Sequence, residues 1–311
     1  MRHYIFWVCM FMLPIVAMAQ CLPNYQFSIK RIDINNSKIS YIDEGSGETI
    51  LFLHGLGGNA AHWKKNIQSL SKKFRCIAID LPGYGGSDFI FKPADTLQLT
   101  TYANTIAGFI KKLQLSKVVL AGHSMGAQIA ILAALQHPSL FTKLLLIAPA
   151  GFETFTNTEA LLLKKFASPD FYKKQDSVAI ANAFRMNFYQ VPEGMDQLIQ
   201  ERLKLKTCEA FDNYCKNISL GVQGMLHEKV SDKLDQLTIQ TLVIFGDKDA
   251  LIPNRILHPT LTTANIAAAT QNIKNAQLVV IPEAGHLVQF EKSSEVNTII
   301  TQFLTAKRLF P

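Results

Sequence analysis

The sequence has little of what several kinds of site and fold require. Five cysteines in 311 residues exclude a disulfide-dense mini-domain, and a composition of 48% hydrophobic and 18% charged residues excludes a disordered chain. The sequence contains no H-E-x-x-H, no C-x-x-C pair, no Walker A motif and no G-x-G-x-x-G. The histidines that belong to no motif are scattered, so neither a metal site nor a cofactor is predicted.

Charge of one sign is never concentrated in a run. Basic residues exceed acidic ones by seven, but they occur singly or in pairs such as Lys64-Lys65, Lys72-Lys73 and Lys111-Lys112. Pairs on amphipathic segments are typical of a solvated helix face. No nucleic-acid partner is therefore predicted.

Residues 1–19 have the pattern of a cleavable secretory signal. Arg2 precedes an apolar stretch, and small residues stand at the two positions that a signal peptidase reads. The stretch is interrupted by Pro14 and is short for a membrane span, which needs about 20 residues. We expect an exported protein, periplasmic or secreted, that begins at Gln20 and has no stable membrane span. A lipoprotein modified at Cys21 is the alternative, although the residue before Cys21 is not small.

Export permits disulfides, and Cys208 and Cys215 are the closest pair of cysteines in the sequence. Seven positions along an unbroken helix place two Cα atoms roughly 10 Å apart. A disulfide tolerates only about 7 Å. A bridge between these two cysteines therefore requires a break in the helix, and the sequence leaves their state open.

The mature chain alternates strand patterns with helix patterns. Ser28–Ile34 and Lys38–Asp43 alternate apolar and polar residues around Asn35-Asn36, which predicts a β-hairpin. Six continuous apolar runs follow, as expected for strands buried on both faces of a parallel sheet. They are 49–54, 76–80, 117–121, 144–148, 241–245 and 277–281.

Segments with helical spacing separate these strands. The sequence predicts helices over 62–73, 100–113, 125–137 and 294–307. Only helical patterns, at 159–166, 177–188 and 195–205, lie between residue 152 and residue 237. The predicted fold is α/β, a doubly wound, mostly parallel sheet formed by residues 20–151 and 238–311, with a helical insertion at 152–237.

The motif Gly122-His123-Ser124-Met125-Gly126 stands between a predicted strand and a predicted helix. A turn this tight forces the central residue into a strained backbone conformation, and glycines two positions before and after relieve the crowding. The hydroxyl of Ser124 is then presented at the C-terminal edge of the sheet. Ser124 is the predicted nucleophile.

A serine nucleophile needs a base, and the base needs an orienting carboxylate. Asp247 and Asp249 follow one late strand, and His286 follows the last strand. The order Ser124, Asp, His286 is that of the α/β-hydrolase triad. His123 lies beside the nucleophile and is predicted to be a packed residue rather than a second base.

Several motifs together resemble those of the α/β-hydrolase superfamily over nearly the whole mature chain. Residues 54–58, His-Gly-Leu-Gly-Gly, resemble its oxyanion loop, and residues 80–87 resemble its D-x-P-G-x-G-x-S loop. Residues 246–249 resemble its G-x-x-D acid turn. This resemblance implies that Asp249 is the triad acid, with Asp247 as the competitor, and that the insertion is a helical lid above Ser124.

The same resemblance implies the rest of the site. The amides of Leu56 and Met125 are the expected oxyanion-hole donors, and Gly55 and Gly57 are expected to contact the substrate. His54 is expected to order its own loop. Hydrolysis by such a site needs neither metal nor cofactor.

The predicted substrate is a small molecule, a hydrophobic ester, because the insertion is rich in aromatic residues of which a minority should line an apolar pocket. A serine nucleophile excludes the aspartate-nucleophile relatives. A carbon–carbon bond hydrolase of ring-cleavage products is the alternative, and a proline-releasing aminopeptidase is disfavoured because its elbow commonly reads G-G-S-W-G. A catalytically silent binding module of the same fold is a further alternative. The oligomeric state and the length of the acyl group are left open.

Overall fold

The computed structural model describes residues 21–89 and 98–306. The predicted signal peptide, residues 1–19, lies outside the described residues. No helix in the described part of the chain is long and apolar enough to cross a membrane.

One eight-stranded sheet forms the centre of the molecule, in the order β1-β2-β4-β3-β5-β6-β7-β8. The first two strands are antiparallel to their neighbours, and β3 to β8 are parallel to one another. The predicted mostly parallel sheet is thus confirmed. The strands are β1 (Ile29–Ile34), β2 (Ser37–Glu44), β3 (Thr49–Leu53), β4 (Arg75–Ile79), β5 (Val118–His123), β6 (Phe141–Ile147), β7 (Gln240–Gly246) and β8 (Ala276–Ile281).

The predicted hairpin is formed by β1 and β2, with Ile34 paired to Ser37 across the turn. Asn35 and Asn36, at the turn, have φ values of 50° and 64°. Positive φ at both central positions is what a two-residue hairpin turn requires, and asparagine tolerates it better than most residues. The two asparagines therefore account for the register of this edge.

Helices cover both faces of the sheet, as the doubly wound prediction requires. On one face α1 (Lys64–Leu70) and α11 (Ser293–Thr305) pack against residues such as Ile50 and Phe52. On the other face α2 (Leu99–Lys112) and α3 (Met125–Gln136) pack against residues such as Leu51 and Leu53. The helices outside the insertion are α1 (Lys64–Leu70), α2 (Leu99–Lys112), α3 (Met125–Gln136), α9 (Thr263–Ala267), α10 (Val288–Glu291) and α11 (Ser293–Thr305).

The prediction that all six apolar strands are buried on both faces holds for the centre of the sheet and not for its edge. In β5 every residue is buried. In β8, the last strand in the sheet order, Leu278 and Val280 remain 40% and 39% exposed. An edge strand has a neighbour on one side only, so its side chains are covered less completely.

Between β6 and β7 the regular elements are helices, joined by loops. The predicted helix at 177–188 ends earlier, at Arg185, and Phe188 packs as a buried residue near Phe290. The longest helix of the insertion, α8, was not among the predicted segments. The helices of the insertion are α4 (Asn157–Phe166), α5 (Pro169–Lys174), α6 (Ser177–Arg185), α7 (Met195–Lys206) and α8 (Phe211–His227).

The N-terminal segment of the described chain ties the insertion to the core. Cys21 forms a disulfide with Cys208, and the amide of Asn24 donates to Glu201 of α7. The Tyr25 hydroxyl donates to Asp80, a fully buried carboxylate at the end of β4. The start of the chain therefore bridges the insertion and the sheet.

The disulfide resolves the question of Cys208 and Cys215. A helix break does separate them, between α7 and α8, but Cys208 pairs with Cys21 across 187 positions and Cys215 is a free, buried thiol. Burial raises the pKa of the Cys215 thiol to about 11. The lipoprotein alternative would require the same Cys21 sulfur that forms the disulfide, so the two cannot coexist.

Candidate active site

Ser124 lies in a sharp turn between the last residue of β5 and the first residue of α3. Its φ and ψ are 53° and −118°, a strained conformation for a residue with a side chain. A Cβ on Gly122 would lie 2.3 Å from the Gly126 carbonyl oxygen, and a Cβ on Gly126 would lie 2.5 Å from the His54 carbonyl oxygen. The turn is thus so tightly packed that both flanking positions must be glycine.

The loops after β7 and β8 bring a carboxylate and an imidazole together. The Asp249 Oδ2 atom lies 2.7 Å from Nδ1 of His286. Its other oxygen, Oδ1, accepts the N–H groups of Leu251 and Ile252 at 2.8 and 2.9 Å. Because a carboxylate only accepts, Nδ1 carries the proton and Nε2 is left unprotonated in the neutral ring.

Two further contacts hold these loops in register. The amides of Asp247 and Lys248 donate to the carbonyl oxygens of Ile281 and Ala284 at 3.0 and 2.9 Å. A Cβ on Gly246 would lie 2.3 Å from the Ala284 oxygen. The two loops therefore approach closely only because Gly246 has no side chain.

The structure brings Asp249, and not Asp247, to the imidazole. Asp249 is fully buried, whereas the Asp247 side chain is 31% exposed and pairs with Lys248 at 3.0 Å. A buried carboxylate with both oxygens hydrogen-bonded can orient His286. Asp247, held at the surface by its ion pair with Lys248, does not contact His286.

The loop after β3 passes against the nucleophile. A Cβ on Gly55 would lie 3.2 Å from the Ser124 Cβ atom, and Gly57, at φ 69°, lies on the same loop. Neither the Leu56 amide nor the Met125 amide donates a hydrogen bond to any described residue. The Met125 amide also stands at the positive end of α3. Two N–H groups without an acceptor in the described chain thus lie on the two segments that meet at Ser124.

The two other histidines near Ser124 have partners that define their roles. His54 accepts the Leu81 amide on Nε2 at 3.0 Å and donates from Nδ1 to Gly55 at 2.8 Å. Burial lowers the pKa of His54 to about 4, so the ring is neutral. Its two hydrogen bonds order the loop after β3, as predicted. His123 lies 3.1 Å from the His286 carbonyl oxygen through Nε2. His123 is buried, as expected of a packed residue, and burial lowers its pKa as well.

Ser124 and His286 open into a cavity of about 540 Å³ between the sheet edge and the insertion. The insertion contributes most of the apolar wall, from α4, α6 and α8. Polar and charged side chains also line the cavity, among them Gln128, Glu153, Asn187, Arg202, Lys229 and Asn254. The apolar side chains from the insertion include Leu163, Phe184, Met186, Ile218, Val222 and Met225.

Three charged residues that line this cavity, Glu153, Arg202 and Lys229, were not found from the sequence. Arg202 of α7 donates from Nη2 to the Gly57 carbonyl oxygen at 2.5 Å, and its guanidinium lies over the rings of Tyr214 and Phe184 at 4.6 and 5.3 Å. No described carboxylate pairs with it. His62 lines the same cavity, and burial lowers its pKa to about 3, so it is neutral. The sequence does not distinguish Arg202 from a surface residue, because its helix α7 also carries Lys204 and Lys206.

Comparisons with known proteins agree with this geometry. A sequence model described as the alpha/beta hydrolase fold matches residues 48–293. A 2-(acetamidomethylene)succinate hydrolase from Mesorhizobium japonicum is 35% identical over 93% of this chain and 99% of its own length. A 2-hydroxy-6-oxononadienedioate/2-hydroxy-6-oxononatrienedioate hydrolase from Pseudomonas putida is 28% identical over 88% of this chain and 93% of its own.

One relative is substantially longer than the matched region. The chain is 29% identical to the dihydrolipoyllysine-residue acetyltransferase component of an acetoin cleaving system from Pseudomonas putida, over 83% of this chain, and spans 64% of that protein's length.

Solved structures share the fold. A probable hydrolytic enzyme from Pseudomonas aeruginosa PAO1 superimposes with a TM-score of 0.78 at 23% identity, covering 91% of this chain and 96% of that one. A thermophilic esterase from Thermogutta terrifontis gives a TM-score of 0.72 at 23% identity, covering 89% and 98%. The eight-stranded sheet, the matched sequence region and these relatives lead to one conclusion: the chain belongs to the alpha/beta hydrolase fold family.

Proposed function

We propose that the protein is a serine hydrolase that cleaves carboxylic esters with an apolar acyl or aromatic group through a covalent acyl-enzyme. The observation that carries the proposal is the 2.7 Å contact between Asp249 and His286, whose ring lines the same cavity as the strained Ser124. Nucleophile, base and orienting acid are thus supplied by three separate loops at one edge of the sheet.

The reaction follows from the protonation state of His286. With its Nδ1 proton held by Asp249, the imidazole uses Nε2 to take the Ser124 proton while Oγ attacks the ester carbonyl. His286 then gives that proton to the departing alcohol, leaving an acyl group on Ser124. The same nitrogen takes a proton from a water molecule, whose oxygen attacks the acyl group. His286 then returns that proton to Oγ of Ser124 as the acid leaves.

The Leu56 and Met125 amides are the proposed oxyanion hole. Each is without a partner among the described residues, and they come from the two segments that meet at Ser124. A donor aimed at the developing negative charge contributes on the order of 3 kcal/mol to transition-state stabilisation. We propose contact with the substrate along the same loop, at Gly55 and Gly57.

The insertion, residues 152–237, is the proposed lid. Its support is the apolar wall that α4, α6 and α8 contribute to the cavity. Burying an apolar acyl group there would contribute about 0.8 kcal/mol per methylene, or roughly fourfold in kcat/KM. The preference for acyl chain length is therefore expected to reside in this segment.

A second candidate function is favoured by Arg202. A guanidinium without a described carboxylate partner, beside the oxyanion loop, suits a substrate that itself carries a carboxylate. Relatives named as hydrolases of a succinate derivative and of dienedioates are consistent with such substrates. Carbon–carbon bond hydrolysis of a carboxylate-bearing compound is thus the alternative reaction for the same triad.

A panel of substrates distinguishes the two candidates. With p-nitrophenyl esters of increasing length, kcat/KM is expected to rise from acetate to medium chains, about fourfold per methylene, until the cavity is full. Arg202→Gln should leave these neutral esters within a few-fold, because the Tyr214 hydroxyl still donates to Gly57 at 2.9 Å. The same change should lower kcat/KM for an ester bearing a free carboxylate by tenfold or more.

Lys229→Gln is the matched control, since Lys229 also lines the cavity but is exposed. A phosphonate probe should label Ser124, and no labelling would favour the silent binding module. Cleavage of a 2-hydroxy-6-oxo-dienoate much faster than any ester would replace the ester proposal by carbon–carbon hydrolysis.

We also propose that the protein is exported after cleavage of residues 1–19. The Cys21–Cys208 disulfide supports this, because disulfides persist in oxidising compartments. Intact-mass analysis of exported material, before and after reduction, is expected to give a chain that begins at Gln20 and gains two hydrogens on reduction. A lipid-modified Cys21, or retention of residues 1–19, would contradict the proposal.

A further inference from the structure

Helix α4 of the insertion has one face on the cavity and an opposite face that is exposed in the described part of the chain. Ala160 and Leu163 line the cavity, and no residue of the helix is buried. Leu161, Leu162 and Phe166 are 68%, 39% and 60% exposed. At 100° per residue, Leu161, Leu162 and Lys165 point away from the cavity, and Phe166 lies beside Leu162 at the edge of the same surface. This surface of Leu161, Leu162, Lys165 and Phe166 is named here the outer face of α4.

The outer face belongs to the most apolar part of the described surface. Of eleven exposed large hydrophobic side chains in the described residues, eight lie between Leu161 and Val191. One of the eight, Met186, lines the cavity. Scattered single exposures need no explanation, whereas adjoining exposed apolar side chains on one helix face suit an interaction surface.

Charges of both signs lie near this face, and the charges of α4 that have no ion-pair partner among the described residues are lysines. Lys164 and Lys165 form no ion pair with any described residue. The acid of the same helix, Glu159, is turned back onto Thr156 and His258. On the next helix Lys173 pairs with Asp212, and Lys174 has no ion-pair partner in the described chain. The acids nearby, Asp170 and Asp176, stand at the starts of the two following helices.

We propose that the outer face of α4 docks onto the surface of an anionic lipid bilayer. Leucine and phenylalanine side chains on one face, flanked by lysines, are the composition of a helix that lies in the membrane interface. Lysines reach the headgroups while their aliphatic stems stay among the apolar side chains. Docking of this kind places the α4 wall of the cavity next to the lipid.

A protein partner fits the outer face less well. A stable protein interface buries roughly 800 Å² on each partner, and three partly exposed side chains on a ten-residue helix cover only part of that. A bilayer needs no matching shape. The proposal does not depend on the reaction catalysed at Ser124.

Vesicle sedimentation tests the proposal. The protein is mixed with vesicles of equal parts phosphatidylglycerol and phosphatidylcholine, or of phosphatidylcholine alone, at low and high salt. We expect stronger binding to the anionic vesicles and weaker binding at high salt. Leu161→Ser/Phe166→Ser should reduce binding tenfold or more. Lys164→Gln/Lys165→Gln should reduce it by about fivefold for each lysine on anionic vesicles only.

Ile256→Ser is the matched control, because Ile256 is 88% exposed outside the insertion, and it should bind like the wild type. All variants carry the same N-terminal segment, so differences isolate the outer face. Hydrolysis of p-nitrophenyl acetate in buffer, together with circular dichroism, checks the site and the fold separately from binding.

Three results would overturn the proposal. In the first, the wild type binds neither kind of vesicle. In the second, Leu161→Ser/Phe166→Ser binds vesicles as well as the wild type does. In the third, the wild type associates with itself and does not bind vesicles. If the wild type sediments as a dimer and Leu161→Ser/Phe166→Ser as a monomer, the outer face joins two copies of the chain instead. If all the proteins bind vesicles but none hydrolyses the ester, the result counts against the proposed reaction and not against docking.

Discussion

Ser124→Ala is expected to lower kcat for ester hydrolysis by about five to six orders of magnitude, and His286→Ala by a similar amount. Nucleophile and base act as one unit, so the loss of either removes covalent catalysis altogether. Alanine keeps the Cβ atom of Ser124, so the substitution leaves the packing of the turn between β5 and α3 unchanged. Initial rates with a medium-chain p-nitrophenyl ester, measured at high enzyme concentration, give the residual activity.

His227→Ala is a suitable control for the histidine substitution, since His227 is exposed at the end of α8. It should retain wild-type kcat. The double variant Ser124→Ala/His286→Ala should be no slower than either single variant, because their losses are not additive. More than one hundredth of wild-type kcat in Ser124→Ala, with the preparation free of wild-type enzyme, would remove Ser124 as nucleophile.

Asp249→Asn is expected to lower kcat by about 10⁴, while Asp247→Asn changes it by less than threefold. The reason lies in the two backbone N–H groups of Leu251 and Ile252, which both donate to Oδ1 of Asp249. They would keep the amide oxygen of the asparagine in that place and turn its NH₂ group toward His286. Nδ1 would then have to accept, which moves the ring proton to Nε2 and blocks proton uptake from Ser124.

Asp247→Asn changes the neighbouring carboxylate in the same way and serves as the paired measurement. Its side chain is partly exposed and paired with Lys248, so only a weak surface ion pair is lost. The pH dependence of kcat should show the same contrast between the two variants. Equal losses at both positions, or a loss at Asp247 alone, would reverse the assignment of the acid.

Much of the fold could be predicted because its signals are local. Alternation along 28–43 and the asparagine pair at the turn predict the hairpin, and continuous apolar runs predict the central strands. The edge strand β8 and the end of α6 differ from prediction, since their burial depends on neighbours that are distant in the sequence. Helix α8 was missed for a related reason, as part of it packs into the main core through Phe211 and Ile218.

Within the candidate site, the order of Ser124, Asp and His286 along the chain could be read from the sequence, and so could the need for Gly122 and Gly126. The sequence assigned the acid to Asp249 only through the resemblance of residues 246–249 to the G-x-x-D turn, with Asp247, two positions away on the same loop, as the competitor. The separation rests on which carboxylate the loop turns inward toward His286, and that is a property of how the loops after β7 and β8 pack on each other.

The sequence by itself determined the architecture and the residue types of the candidate site, because strand and helix periodicity and the tight turn around Ser124 are imposed by neighbouring residues. Only the tertiary structure decided the contacts between distant segments. Cys21 meets Cys208 across 187 positions, and Arg202 enters the cavity beside Gly57. Such pairings depend on how the insertion is placed over the sheet, and no local pattern carries that information.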